Sequence, residues 1–115
     1  MVYRFCVASE GYDKLDAYED AERSLAYAER VLARDPDAAA LLVNGELPAM
    51  LNAWYARQGV YPPARDQLLR DLAERAPAIA ESLRLALRAP DACARLVAAQ
   101  RLLARLRDPA PMASR

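Results

Sequence analysis

Histidine does not occur among the 115 residues. Its absence removes Ser-His and Cys-His nucleophile pairs, histidine general bases and the usual zinc constellations. Glycine is scarce: three residues stand alone at positions 11, 45 and 59, so no Gly-rich phosphate loop is present. Cys6 and Cys93 are the only cysteines, too few for a four-thiolate zinc site. The opening MVYRFCVASEGYD is not a secretory leader, so these thiols are expected to be reduced and buried rather than bridged. No window approaches the ~18 consecutive apolar residues of a membrane span, so no membrane association is expected. The protein reads as cytoplasmic. Sixteen basic residues balance sixteen acidic ones, and the chain as a whole offers no signal for a nucleic-acid partner.

Alanine, leucine and arginine fill most of the space left by these absences, and all three favour helices. Hydrophobic residues make up 55% of a chain long enough for one domain with its own core. These features predict an all-α fold: a single up-and-down bundle of about five helices over residues 11–107. An N-terminal arm or short strand (residues 1–10) precedes it, and a flexible, proline-broken tail (residues 108–115) follows. VYRFCVAS, residues 2–9, is the one strand-like stretch. A lone strand has nothing to pair with, and the first turns of a helix or an extended arm are equal alternatives.

Within residues 11–35, Leu15, Tyr18, Leu25 and Leu32 recur at helical spacing, with Ala21 and Ala28 on the same stripe. Asp13, Asp16, Glu19 and Asp20 load the start of this helix, and Arg30 and Arg34 its end, as the helix dipole favours. Asp35-Pro36 fits an N-cap followed by proline at the first helical position, opening a second helix over residues 36–57. Its apolar face is expected to comprise Leu41, Leu42, Leu47, Met50, Leu51 and Trp54. Gly45 and Pro48 interrupt it. Pro48 lacks a backbone donor and crowds the carbonyl of Asn44, which predicts a kink or break. Gly59 closes the helix in a left-handed conformation, and Pro63 presets the next, over residues 63–74, which buries Leu68, Leu69 and Leu72. Ala76-Pro77 restarts the chain into a fourth helix with Ile79, Leu83 and Leu87. Ala89-Pro90-Asp91 opens a fifth with Leu96, Leu103 and Leu106.

Two clusters have the residue types for binding. Trp54, Tyr55, Arg57, Tyr61 and Arg65 surround the Gly59 turn, and tyrosine beside arginine suits an anionic or planar ligand. On helical spacing Trp54 belongs to the core, while Tyr55 and Arg57 point elsewhere. Aromatic residues are chiefly a packing resource, so a purely structural corner outweighs a ligand site. Asp13, Asp16 and Asp20 share one helix face with the oxygen ligands that Mg²⁺ takes. A solvated face favoured by the dipole outweighs a metal site there, so neither metal nor cofactor is expected. Arg101 and Arg105 lie four residues apart on a face without interleaved aromatics, which does not read as nucleic-acid binding.

LNAWYARQGVYPPARDQLLRDLAERAPAIAESLRLAL runs a helix into a small turn, a tyrosine-proline element, a leucine-rich helix and a proline-started helix. With its surroundings, residues 39 to about 106, it resembles the C-terminal helical domain of nucleotidyltransferase-like proteins of the aminoglycoside-adenylyltransferase type. The resemblance implies a domain that packs beside a catalytic nucleotidyltransferase domain or subunit and helps wall the acceptor-substrate pocket. The chain departs from that pattern. It has no Gly-Ser turn followed by a paired-aspartate strand, and it carries Asp66 near a position where relatives tend to be basic, leaving Arg65 as the substitute. Related helical domains with RNase activity use an Arg-to-His motif, which a chain without histidine lacks.

The leading expectation is therefore a non-catalytic substrate-binding or companion domain of a nucleotidyltransferase-like system, inactive alone. The alternative is a homodimeric interaction or ligand-sensing module. Residues 10–37 carry nine acids and four bases, a net of −5, whereas residues 38–115 carry seven acids and eleven bases, a net of +4. Such halves complement each other within one molecule or across a dimer. A Mg²⁺ enzyme built on the acidic helix ranks third, since no phosphate-binding groups accompany the carboxylates.

Overall fold

The computed structural model describes the backbone of residues 2–108 and the side chains of residues 17–108. The described residues form five helices and no strand: α1 (Val2–Leu32), α2 (Pro36–Arg57), α3 (Arg65–Arg75), α4 (Pro77–Leu87) and α5 (Ala92–Arg107). The fold is an all-α bundle. The tail expected at residues 108–115 falls, beyond Asp108, outside the described residues. No helix among the described residues is long and apolar enough to cross a membrane.

Residues 2–9 are neither strand nor extended arm but the first turns of α1, which runs unbroken for 31 residues. A segment with no strand to pair with satisfies its backbone hydrogen bonds locally, and the helix continues into residues that favour it. Asp35 caps α2 as its sequence suggests, accepting from Ala38 N at 3.1 Å, with proline in the first turn. Pro48 does not break α2. One missing helical bond is outweighed by the burial of Leu47, Met50 and Leu51 around it. Asp91 caps α5 in the same way, accepting from Ala94 N at 2.8 Å.

Helices α1, α2 and α5 pack against one another in all three pairings. Small residues line the seam, with Ala21, Ala28, Ala39 and Ala99 fully enclosed beside Leu25, Val43, Met50, Leu102 and Leu106. Alanine lets helices approach closely, and the leucines fill what remains at crystal-like density. Helix α4 packs on α5, and α3 lies backbone to backbone against α4, reaching α2 only through side chains. Ala76 is the whole connection between α3 and α4. Its amide donates to Leu72 O at 2.7 Å, closing α3, and its carbonyl accepts from Ile79 and Ala80 at 3.0 Å, opening α4.

Four expected core leucines are placed differently. Leu41 and Leu87 are exposed, and Leu68 and Leu69 are only half-buried, because nothing packs outside α3 and the N-terminal part of α2. Cys93 is a free, exposed thiol rather than a buried one, since it occupies the first turn of α5 beyond the reach of its neighbours.

Candidate binding site

The corner between α2 and α3 is built by the Gly59 turn. Gly59 takes φ 73°, the left-handed conformation that side-chain-bearing residues avoid. Its amide donates to Ala56 O and the amide of Val60 to Tyr55 O, both at 3.0 Å, so the last carbonyls of α2 are satisfied. The chain then runs without helix through Pro62 and Pro63, and α3 opens at Arg65 with Ala64 as its uncapped lead-in. Pro63 therefore belongs to the connection rather than beginning the helix. Residues before a proline are held extended, and the pair keeps both Pro62 and its predecessor out of helix.

Tyr55 is the centre of this corner. Its side chain is fully buried, in an edge-to-face contact with Trp54 at 5.2 Å between ring centroids and 87° between planes. Its Oη donates to Asp71 Oδ2 across 2.6 Å, and Arg75 Nε donates to the same oxygen at 2.8 Å. A buried phenol needs a partner, and Asp71, two turns into α3, supplies it. The Tyr55 hydroxyl is held far above its ordinary titration range, first by burial, then by its bond to Asp71 and that carboxylate's charge. Asp71 is correspondingly lowered from its ordinary 3.8, first by the Tyr55 bond, with Arg75 adding to it and burial opposing. The expectation that Tyr55 points away from the core is thus corrected: α2 is covered on two sides, and both neighbouring aromatics are enclosed.

The five corner residues do not converge. Trp54 and Tyr55 are core, and Tyr61 stands 92% exposed. Arg57 turns to the opposite seam, its guanidinium 5.6 Å from the Tyr18 ring centroid and Nη1 3.4 Å from Leu106 O. Tyr18 Oη is enclosed beside the Arg57 guanidinium. Burial raises the Tyr18 hydroxyl above its ordinary 10.0, while Arg57 and Arg107 oppose that shift. Only Arg65 borders an open site.

That site is a groove of about 290 Å³ between α2, α3 and α4. Leu47, Leu51, Leu68, Leu69, Leu83 and Leu87 form its walls, with Pro48 and Pro63 among them. Arg65 is its one cation, and Asn44 and Asn52 supply neutral polar groups. The half-buried leucines of α3 are the signal for it: a leucine-rich helix whose backbone lies close to one neighbour only leaves an apolar flank open. Arg95 braces the rim, donating from Nη1 to Asn44 Oδ1 and from Nη2 to Ala89 O, both at 3.3 Å.

No metal-binding group of carboxylates, cysteines or histidines occurs among the described residues. Asp20 is exposed and pairs with Arg23, while the side chains of Asp13 and Asp16 lie outside the described residues. No protein-family model, curated protein or solved structure matches this chain.

Proposed function

We propose that this chain is a non-catalytic helical binding domain that holds its ligand in the groove between α2, α3 and α4. The observation that carries the reading is the leucine-walled groove open to solvent beside the YPPARDQLL corner, with a single arginine on its rim. Binding sites for small molecules are mostly apolar with a few placed polar groups, and this composition fits an apolar body bearing one anionic group. The resemblance of residues 39–106 to a nucleotidyltransferase-associated helical domain gives such a site a context. In it the groove walls an acceptor pocket completed by a catalytic domain or subunit.

Anilinonaphthalene sulfonate, an apolar anion, is a suitable probe. The protein is expected to bind it saturably while its near-ultraviolet circular dichroism stays native, which separates groove binding from loose packing. Arg65→Ala is expected to weaken binding several-fold, and Leu87→Glu to abolish it with helicity intact. Failure of saturation, or indifference to both substitutions, defeats the proposal. Transfer of an adenylyl group by the chain alone defeats the non-catalytic part.

A further inference from the structure

Two further grooves run along α5, one on each side of an outward ridge. The ridge is Cys93, Val97, Gln100 and Ala104, of which Cys93, Val97 and Ala104 are exposed. Alternating steps of four and three residues keep a stripe on one side of a helix, the pattern by which two parallel helices pack. On the α4 side the groove is about 900 Å³, and Arg88, Arg101 and Arg105 line it against one carboxylate, Asp108. None of these three arginines has an ion-pair partner among the described residues. On the α1 side the groove is about 430 Å³, and its carboxylates are Glu22 and Glu29, both exposed, with Ala26 between them. Glu22 pairs with Arg107 at 3.0 Å, whereas Glu29 accepts from the neutral Gln100 at 3.4 Å and pairs with no cation among the described residues. One flank of the ridge is cationic without counter-charge, and the other keeps carboxylate oxygens to spare.

The two flanks also match in height. Hydrogen bonds hold Glu29 level with Gln100 and Glu22 level with Arg107. Arg101 follows Gln100 directly, an offset of ~1.5 Å along the helix, and Arg105 precedes Arg107 by ~3 Å. Each of these arginines therefore shares its height with a carboxylate on the opposite flank, but α5 itself stands between them. A second copy can bring them together. A twofold axis running along the ridge turns the copy face to face, exchanges its flanks and shifts nothing along the helix. Arg101 and Arg105 of each copy then face Glu29 and Glu22 of the other. An axis running across α5 would instead lay arginine on arginine.

We infer that the chain forms a twofold dimer in which α5 packs parallel to α5 of a second copy, the cationic α4 flank of each lying over the acidic α1 flank of the other. Charge sign and height agree on both sides of the ridge at once. The small side chains of Ala26 and Ala104 leave room for close approach.

Sedimentation equilibrium on the full chain at low and high salt tests the association. The protein is expected to be dimeric at low salt and to dissociate as salt screens the contact. Arg101→Glu with Arg105→Glu, or Glu22→Arg with Glu29→Arg, is expected to weaken self-association by about a hundredfold, because like charges then meet on both flanks. All four positions are exposed, and far-ultraviolet circular dichroism verifies that each variant stays helical. An equimolar mixture of the two variants restores opposite charges on both flanks and is expected to form a heterodimer. Direction is read by cross-linking, since an axis along the helix sets every ridge residue beside its own copy. Mild oxidation is expected to link Cys93 to its twin in a Cys6→Ser chain. It is expected to link Ala104→Cys in the same way once Cys6→Ser and Cys93→Ser are also present. A monomer at every salt concentration, a dimer unmoved by either reversal, or a mixture that stays monomeric overturns the inference. So does a dimer that cross-links at neither or only one of the two positions, or a wild-type monomer whose arginines instead bind a nucleic-acid oligomer.

Discussion

The two sides of α2 are packed by different means. Toward α1 and α5 it meets two long helices across an alanine-lined seam, and almost every side chain there is enclosed. Toward α3 no backbones approach closely, and one phenol–carboxylate bond spans the gap. The first side is held by area and shape, the second by a single directed interaction with a groove beside it. A helix of one composition thus serves as core on one flank and as the wall of a site on the other, and what differs is how many neighbours the connections allow.

Truncation at the meeting point of the two flanks is expected to have the largest effect. Tyr55→Ala removes a fully buried ring and is expected to cost about 3–5 kcal/mol in urea unfolding, as for other large-to-small core changes. A loss below that of Leu68→Ala, on the half-buried flank, would break the distinction between the flanks.

Next comes Asp71→Asn, which weakens the directed bond while sparing the alanine seam. A loss of about 1–3 kcal/mol is expected at neutral pH, the cost of poorly satisfying a buried hydroxyl. Asp71 titrates below its ordinary 3.8 in the folded protein, so its contribution is present above that pH and fades as pH falls through the folded value. Unfolding midpoints measured from neutral pH to below pH 3.8 should therefore converge for wild type and Asp71→Asn at the acid end. Parallel curves would show that the carboxylate's charge is irrelevant to the latch. Tyr55 has the opposite sign: its raised titration leaves stability intact below pH 10.0 and erodes it above.

Gly59→Ala should have the smallest effect, about 1 kcal/mol, because the cost lies in the φ of 73°. Open space surrounds the position a Cβ would take, so no clash adds to it. A much larger loss would mean that the corner tolerates less backbone adjustment than the seam.

Punctuation in this chain was highly legible. Asp35-Pro36, Ala76-Pro77 and Asp91 begin helices because caps and proline act on their immediate neighbours, and Gly59 ends one for the same reason. Burial was legible only where a helix has one covered face. Tyr55 looked outward by its spacing from Trp54, yet its partner Asp71 is sixteen residues away, and no periodicity encodes that pairing. Leu41 and Leu87 looked buried because composition cannot reveal that no element covers them. The arginines and aromatics of the corner cluster in sequence but scatter in space, since consecutive residues at a helix end and turn point in different directions. The leucines that make the groove were all identified, but as core.

The one-residue link at Ala76 has a mechanical consequence. Helix α3 is pinned at that end by bonds on both sides of a single peptide, while its other end hangs from the seven-residue connection of residues 58–64. It is a lever with a short pivot and a longer tether. A bulkier occupant of the groove would lift the Arg65 end and leave Leu72 in place, so tolerance to size is concentrated at the cationic lip and the hinge side sets a fixed gauge.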